Sequence, residues 1–235
     1  MRVMLLVFAL LSSASLQADC VILLHGLART EGSLKKMEKM VEAAGYQAVN
    51  KGYPSRKHSI ALLAGQAIAP ALENCSNSTA IHFITHSLGG ILVRQYLSEH
   101  EIPNLKRVVM LGPPNQGSEV VDKLGWLPGF GFLNGRAGFE LGTSSESVPN
   151  RLGAAKFDVG VIAGTSSINW ILSMLIPGDD DGKVSLQNAR LEGMNDFIEL
   201  PVTHPFMMKN DKVIEQAIFY LENGFFRRDD VVNVN

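Results

Sequence analysis

The chain has 235 residues, 46% of them hydrophobic and 19% charged, with a formal net charge of -2. That is enough apolar mass for one globular domain with a sizeable core. Lys and Arg are scattered, and the Arg227-Arg228 pair is followed at once by Asp229-Asp230, so no basic stripe of the kind that grips nucleic acid is present.

The first 18 residues read as a secretory signal peptide rather than as part of the domain. Arg2 supplies a positive start, residues 3–11 an apolar run and Ser12-Ser13-Ala14 a small-residue segment. Cleavage is expected after Ala18 or Ala14, leaving a domain over residues 19–235 in the periplasm or outside the cell. The apolar run is shorter than the roughly 20 residues that span a bilayer, and Asp19 before Cys20 argues against a lipid-attached N-terminus.

From there strand-like and helix-like segments alternate, which predicts an α/β fold: a doubly wound, mostly parallel sheet of about six strands. Strands are predicted at 21–24, 47–51, 80–85, 107–111, 158–163 and 197–200, and helices at 32–44, 60–74, 88–99 and 209–223. In the last helix Val213, Ile214, Ala217, Ile218 and Leu221 share one face. Cys20 and Cys75 each sit just ahead of a strand-like run. If those strands are parallel neighbours, the two thiols lie at the same sheet edge and can form a disulfide, which an exporting compartment permits.

Two stretches break the alternation. Residues 117–156 carry Trp126, Leu127, Phe130, Phe132 and Phe139 among many glycines, and Pro128 and Pro149 interrupt any long helix. Such a segment is expected to be a lid or cap insertion, with Trp126, Phe130, Phe132 and Phe139 lining a substrate pocket. Residues 166–177, with Trp170, Ile171, Leu172, Met174, Leu175 and Ile176, are expected to border it.

In an open parallel sheet, functional residues gather beyond the carboxyl ends of the strands. Thr85-His86-Ser87-Leu88-Gly89-Gly90 places Ser87 between a strand and a helix, the setting of a nucleophile elbow, although Thr85 stands where that turn usually has glycine. A serine hydroxyl needs a base and an orienting acid. His204 follows the last strand and precedes the last helix, whereas His82 is mid-strand, His58 and His100 flank helices, His25 is read as a loop brace, and His86 is expected to point away from the bend. Gly178-Asp179-Asp180-Asp181-Gly182-Lys183-Val184 supplies the acid. Asp181 is favoured for the glycine turn after it, with Asp179 and Asp180 as alternates. The amides of Leu27, in Leu24-His25-Gly26-Leu27, and of Leu88 form a two-donor oxyanion hole in this reading.

Together with Gly112-Pro113-Pro114-Asn115-Gln116-Gly117-Ser118, these segments resemble the α/β-hydrolase superfamily in its bacterial lipase and esterase branch, over nearly all of the mature chain. The resemblance implies Ser87 as nucleophile, His204 as base, Asp181 as acid, Leu27 and Leu88 as oxyanion donors, and a site-shaping role for residues 112–118. It implies an exported carboxylic ester hydrolase acting on lipid or acyl esters, with no cofactor and no metal. A thioesterase or acyltransferase would share the same parts, and a noncatalytic lipid-binding protein is the rival of another class. A monomer with transient membrane-surface contact is expected.

Overall fold

The computed structural model describes residues 18–167 and 180–228. The signal-peptide reading, Ala18 apart, lies outside the described residues, as do Asp179 and nearly all of the second apolar excursion.

Short runs rich in Val, Ile and Leu build one sheet: β1 (Cys20–Leu24), β2 (Gln47–Asn50), β3 (Ile81–His86), β4 (Leu105–Leu111), β5 (Val159–Gly164) and β6 (Asp196–Leu200). Their order is β2-β1-β3-β4-β5-β6, and every pair is parallel. Parallel strands need crossovers that cover both faces, so β1, β3 and β5 are buried along their whole length. Alternate residues face opposite layers. Ile22, Leu24, Phe83 and Met110 pack toward α2 (Ile60–Asn74) and α3 (Leu88–Glu99). Val21, Leu23, Ile84 and Val109 pack toward α1 (Lys35–Ala43) and the last helix, α8 (Asp211–Asn223).

The chain runs outward from β1 to β2 and then returns to β3 on the other side of β1. The carboxyl ends of β1 and β3 therefore lie side by side at the switch point, with Leu24 paired to Thr85.

Helices α2 and α3 occupy the expected ranges. The helix expected at 32–44 instead begins with a 3-10 turn, Glu31–Leu34, before α1. The last starts two residues late because His204–Lys209 is a 3-10 segment, and it is capped by Asn210, whose side chain accepts from Val213 N.

Residues 117–156 are not a structureless loop but three short helices: α4 (Glu119–Leu124), α5 (Phe130–Phe139), kinked at Gly135, and α6 (Val148–Arg151). Pro149 sits in the first turn of α6, where its missing N–H costs nothing. After a further short helix, α7 (Leu186–Ala189), the chain enters β6.

Two devices fasten these parts. Buried Arg94 of α3 donates to Asn115 O at 2.9 Å, Pro149 O at 2.8 Å and Gly153 O at 2.8 Å, and Asn115 Nδ2 donates to Ala189 O at 2.9 Å. The Cys20–Cys75 disulfide joins the start of β1 to the end of α2, with the Cα atoms 5.7 Å apart.

Candidate active site

Between the last residue of β3 and the first of α3, Ser87 adopts φ 52°, ψ -119°. A side chain held there costs about 1–3 kcal/mol of backbone strain, sustained by the packing on either side of the bend. Ser87 N donates to Leu111 O at 2.9 Å. A Cβ at Gly89 would stand 2.6 Å from Leu24 O, so only glycine lets α3 start this close to β1. Thr85 is accommodated because it is buried with its hydroxyl toward Val109 O of β4, at 3.4 Å, and not toward the bend.

His204 begins the 3-10 segment after β6, and Asp181 lies in the turn before α7. His204 Nδ1 donates to Asp181 Oδ2 at 2.7 Å, and His204 N donates to Asp181 O at 2.9 Å. Asp181 Oδ1 accepts from the amides of Lys183 and Val184, both at 3.0 Å. Each residue is 2% exposed. An imidazole that donates from Nδ1 leaves Nε2 free to accept a proton. Asp180 instead accepts from Gly182 N, so of the two described aspartates only Asp181 holds the ring.

Gly112, at φ 53°, follows β4 and passes directly over this pair: a Cβ there would lie 2.9 Å from Asp181 Oδ2 and 3.0 Å from His204 Nδ1. The resemblance implies a site-shaping role for residues 112–118 as a whole, and the sequence alone does not distinguish Gly112 within its Gly-Pro-Pro turn.

Ser87 and His204 line one cavity of about 550 Å³. No hydrogen bond joins Ser87 Oγ to His204 among the described residues, a contact that in free enzymes often tightens only with substrate bound. Leu27 lines the same cavity, in a turn closed by Arg29 N donating to Gly26 O at 3.3 Å. Leu88 is the first residue of α3, so its amide belongs to the positive helix end. Among the described residues neither amide has a hydrogen-bond partner.

His25 braces the loop: its ring stacks on Tyr53 with centroids 4.0 Å apart, and its Nε2 accepts from Tyr53 N at 3.3 Å. Burial lowers its pKa. His86 departs from expectation. It does not point away from the bend but lines the cavity, with its ring centroid 4.8 Å from that of His204 and its Nε2 donating to His204 O at 3.0 Å. The reason is that β3 runs one residue further than expected, carrying residue 86 into the sheet end. Burial, and then the neighbouring His204, hold the His86 pKa well below the ordinary histidine value.

The cavity wall comes largely from α4 and α5. Phe130 and Phe132 line it, together with Val121, Leu124, Leu127 and Leu133. Trp126 and Phe139 do not. Trp126 is 77% exposed with its indole N–H donating to Lys123 O, and Phe139 backs onto Phe130 from outside. Both border a separate depression beside Val148 and Arg151. The Gly112–Ser118 segment contributes Pro114 and Ser118 to the cavity.

No family model and no curated protein matches the chain. Among solved structures it is similar to the mature lipase BlEst2 of Bacillus licheniformis, at 19% identity over 88% of this chain and 93% of that one, with a TM-score of 0.69. It is also similar to a monoacylglycerol lipase of Paleococcus ferrophilus, at 16% identity over 88% and 96%, TM-score 0.56. Phospholipase PlaB of Legionella pneumophila matches at 19% identity over 74% of this chain but only 46% of its own length, TM-score 0.57. At such identities the likeness concerns architecture, and the architecture is the α/β-hydrolase fold.

Proposed function

We propose that this chain is an exported serine hydrolase that cleaves carboxylic esters of lipid-like molecules. The observation that carries the reading is that buried His204, held by Asp181 behind it, lines the same cavity as Ser87, itself held at a backbone angle that side chains rarely adopt. Ser87 attacks the acyl carbonyl while His204 Nε2 takes its proton. The amides of Leu27 and Leu88 stabilise the tetrahedral oxyanion, worth about 3–4 kcal/mol per donor in comparable sites. His204 then protonates the leaving alcohol, and water repeats the sequence to free the acid and restore Ser87.

Apolar side chains of α4 and α5 in the cavity favour an acyl group. Exposed Phe132 and Leu133 nearby favour transient contact with a lipid surface. Two cysteines joined to each other favour an oxidising compartment, in keeping with removal of residues 1–18 on export.

A fluorophosphonate probe and a chain-length series of chromogenic esters and thioesters test the reading. Wild-type protein is expected to label and turn over esters, Ser87→Ala to do neither, and Asp181→Asn to lose about 10⁴-fold in kcat. Equal labelling of Ser87→Ala, or a milder defect in Asp181→Asn than in Asp180→Asn, contradicts the assignment.

A further inference from the structure

Among the described residues, two cations and no carboxylate line the cavity that holds Ser87 and His204. Arg29, two residues past Leu27, and Lys183, two past Asp181, both line it, while Asp and Glu are absent from its described lining. Both side chains are exposed, and among the described residues neither charged head has an ion pair or a hydrogen bond. On a chain of net charge -2, most of the partly buried cations are otherwise spoken for: Arg94 by carbonyls, Arg107 by Asp158.

The backbones under these two cations are held firmly. Arg29 N donates to Gly26 O, and the preceding Ala28 N donates to Ser55 Oγ at 3.1 Å. Lys183 N donates to Asp181 Oδ1, and its carbonyl accepts from Ser118 Oγ at 2.9 Å. The two charges feel each other: the Lys183 pKa is lowered first by desolvation and then by Arg29, against a smaller opposing pull from Asp181. Like charges kept together beside a cavity, with no ion pair to either head among the described residues, form a ready site for an anion that arrives with the ligand.

We propose that Arg29 and Lys183 form a subsite for an anionic group on the alcohol half of the substrate, so that the preferred esters are acyl esters of a phosphate-bearing alcohol. This rests on the ester hydrolase reading. The acyl half belongs with the apolar residues of α4 and α5. Lys183 shares its turn with Asp181, which places its backbone beside His204, where the leaving oxygen takes its proton. A phosphate matches the pair because its several oxygens accept from a guanidinium fork and an ammonium together.

The test compares kcat/KM for octanoylglycerol phosphate and octanoylglycerol, both below their aggregation concentrations, on the mature chain. The ratio is expected to favour the phosphate by about tenfold or more, as for one good charge-assisted contact. It is expected to shrink at about 0.5 M salt, where exposed charges are screened, and to fall toward one in the Arg29→Gln/Lys183→Gln double variant. A wild-type ratio at or below one overturns the proposal. So does a ratio unchanged in the double variant, because cations that serve the oxyanion of every ester alike move both rates together. Calorimetry with glycerol 3-phosphate reads the subsite without turnover: about tenfold weaker binding in the double variant supports it, and equal binding overturns it. Inorganic phosphate binding as tightly as glycerol 3-phosphate overturns the alcohol-half assignment. If neither ester is cleaved and Ser87 is not labelled while glycerol 3-phosphate still binds through Arg29 and Lys183, the hydrolase reading fails and the anion subsite stands.

Discussion

Replacing Gly112 with alanine separates the geometry of the acid–base pair from the chemistry of its members, both of which stay in place. Two costs arise. The first is backbone: at φ 53° a residue with a Cβ is strained by about 1–2 kcal/mol relative to glycine. The second is contact: the new Cβ would press to 2.9 Å on Asp181 Oδ2 and 3.0 Å on His204 Nδ1, against ordinary separations of about 3.5 Å or more. Relief requires a shift of several tenths of an ångström in a hydrogen bond now 2.7 Å long. Misplacement approaching 1 Å costs on the order of 10²-fold in rate, so kcat is expected to fall about 10- to 100-fold. Stability is expected to fall by about 1–3 kcal/mol, a few degrees of Tm for a domain of this size. Gly45→Ala is the control: φ there is 91° with nothing within 4 Å of the added carbon, so it carries the backbone cost alone. Ester turnover and thermal melts of the two variants decide the matter. A folded Gly112→Ala enzyme with kcat within threefold of the Gly45→Ala value refutes the claim that this backbone segment sets the position of the pair.

Arg94→Met leaves the carbonyls of Asn115 and Pro149 buried without their donor and frees that of the exposed Gly153, and urea unfolding is expected to show a loss of about 2–5 kcal/mol, at about 1–3 kcal/mol for each buried carbonyl; a loss below about 1 kcal/mol contradicts the clamp. The Cys20→Ser/Cys75→Ser variant reopens a loop with a sequence separation of 55, for an expected loss of about 4 kcal/mol, and its stability is then indifferent to reductant while that of the wild type is not. Stability is also expected to depend on pH through buried histidines. Burial lowers His82 to about 4 and His86 well below its ordinary value, so the unfolded chain binds protons that the native state refuses. The contribution is full above about pH 6.5 and is lost as pH falls below it, at up to about 1.4 kcal/mol per pH unit for each ring. Unfolding free energies from pH 7 to 4.5 check this, and His82→Gln is expected to flatten the slope by one ring's share; an equal slope in that variant argues against it.

The features readable in advance were those set by local pattern. Helices α2 and α3 carry sustained apolar spacing between clear boundaries, and they occupy residues 60–74 and 88–99. The six-strand parallel sheet follows from alternation alone. The order of Ser87, Asp181 and His204 along the chain, each beyond a strand end, was enough to expect them together, because the topology carries every such loop to one edge, where His204 bonds Asp181 and shares a cavity with Ser87. What was not legible depends on packing between distant segments. The helices of residues 117–156 are four to ten residues long, too short for a 3.6-residue repeat to stand out. Trp126 and Phe139 resemble pocket residues in composition, yet the face each presents is set by how α4 and α5 dock. Gly112 and Arg94 matter through contacts with residues tens of positions away. The side on which His86 emerges depends on β3 reaching residue 86: as its last strand residue it shares the face of Ile84, the face that also packs against Met207 and Met208 of the His204 segment.

Strain at residue 87 bears on how such a chain can drift. Glycine would hold φ 52° without the penalty that serine incurs there, so Ser87→Gly is expected to raise the melting temperature while abolishing chemistry. Under mutation without selection for turnover, position 87 is therefore among the first that stability alone would rewrite. A serine held at that angle is a residue that the fold tolerates and that the proposed chemistry requires.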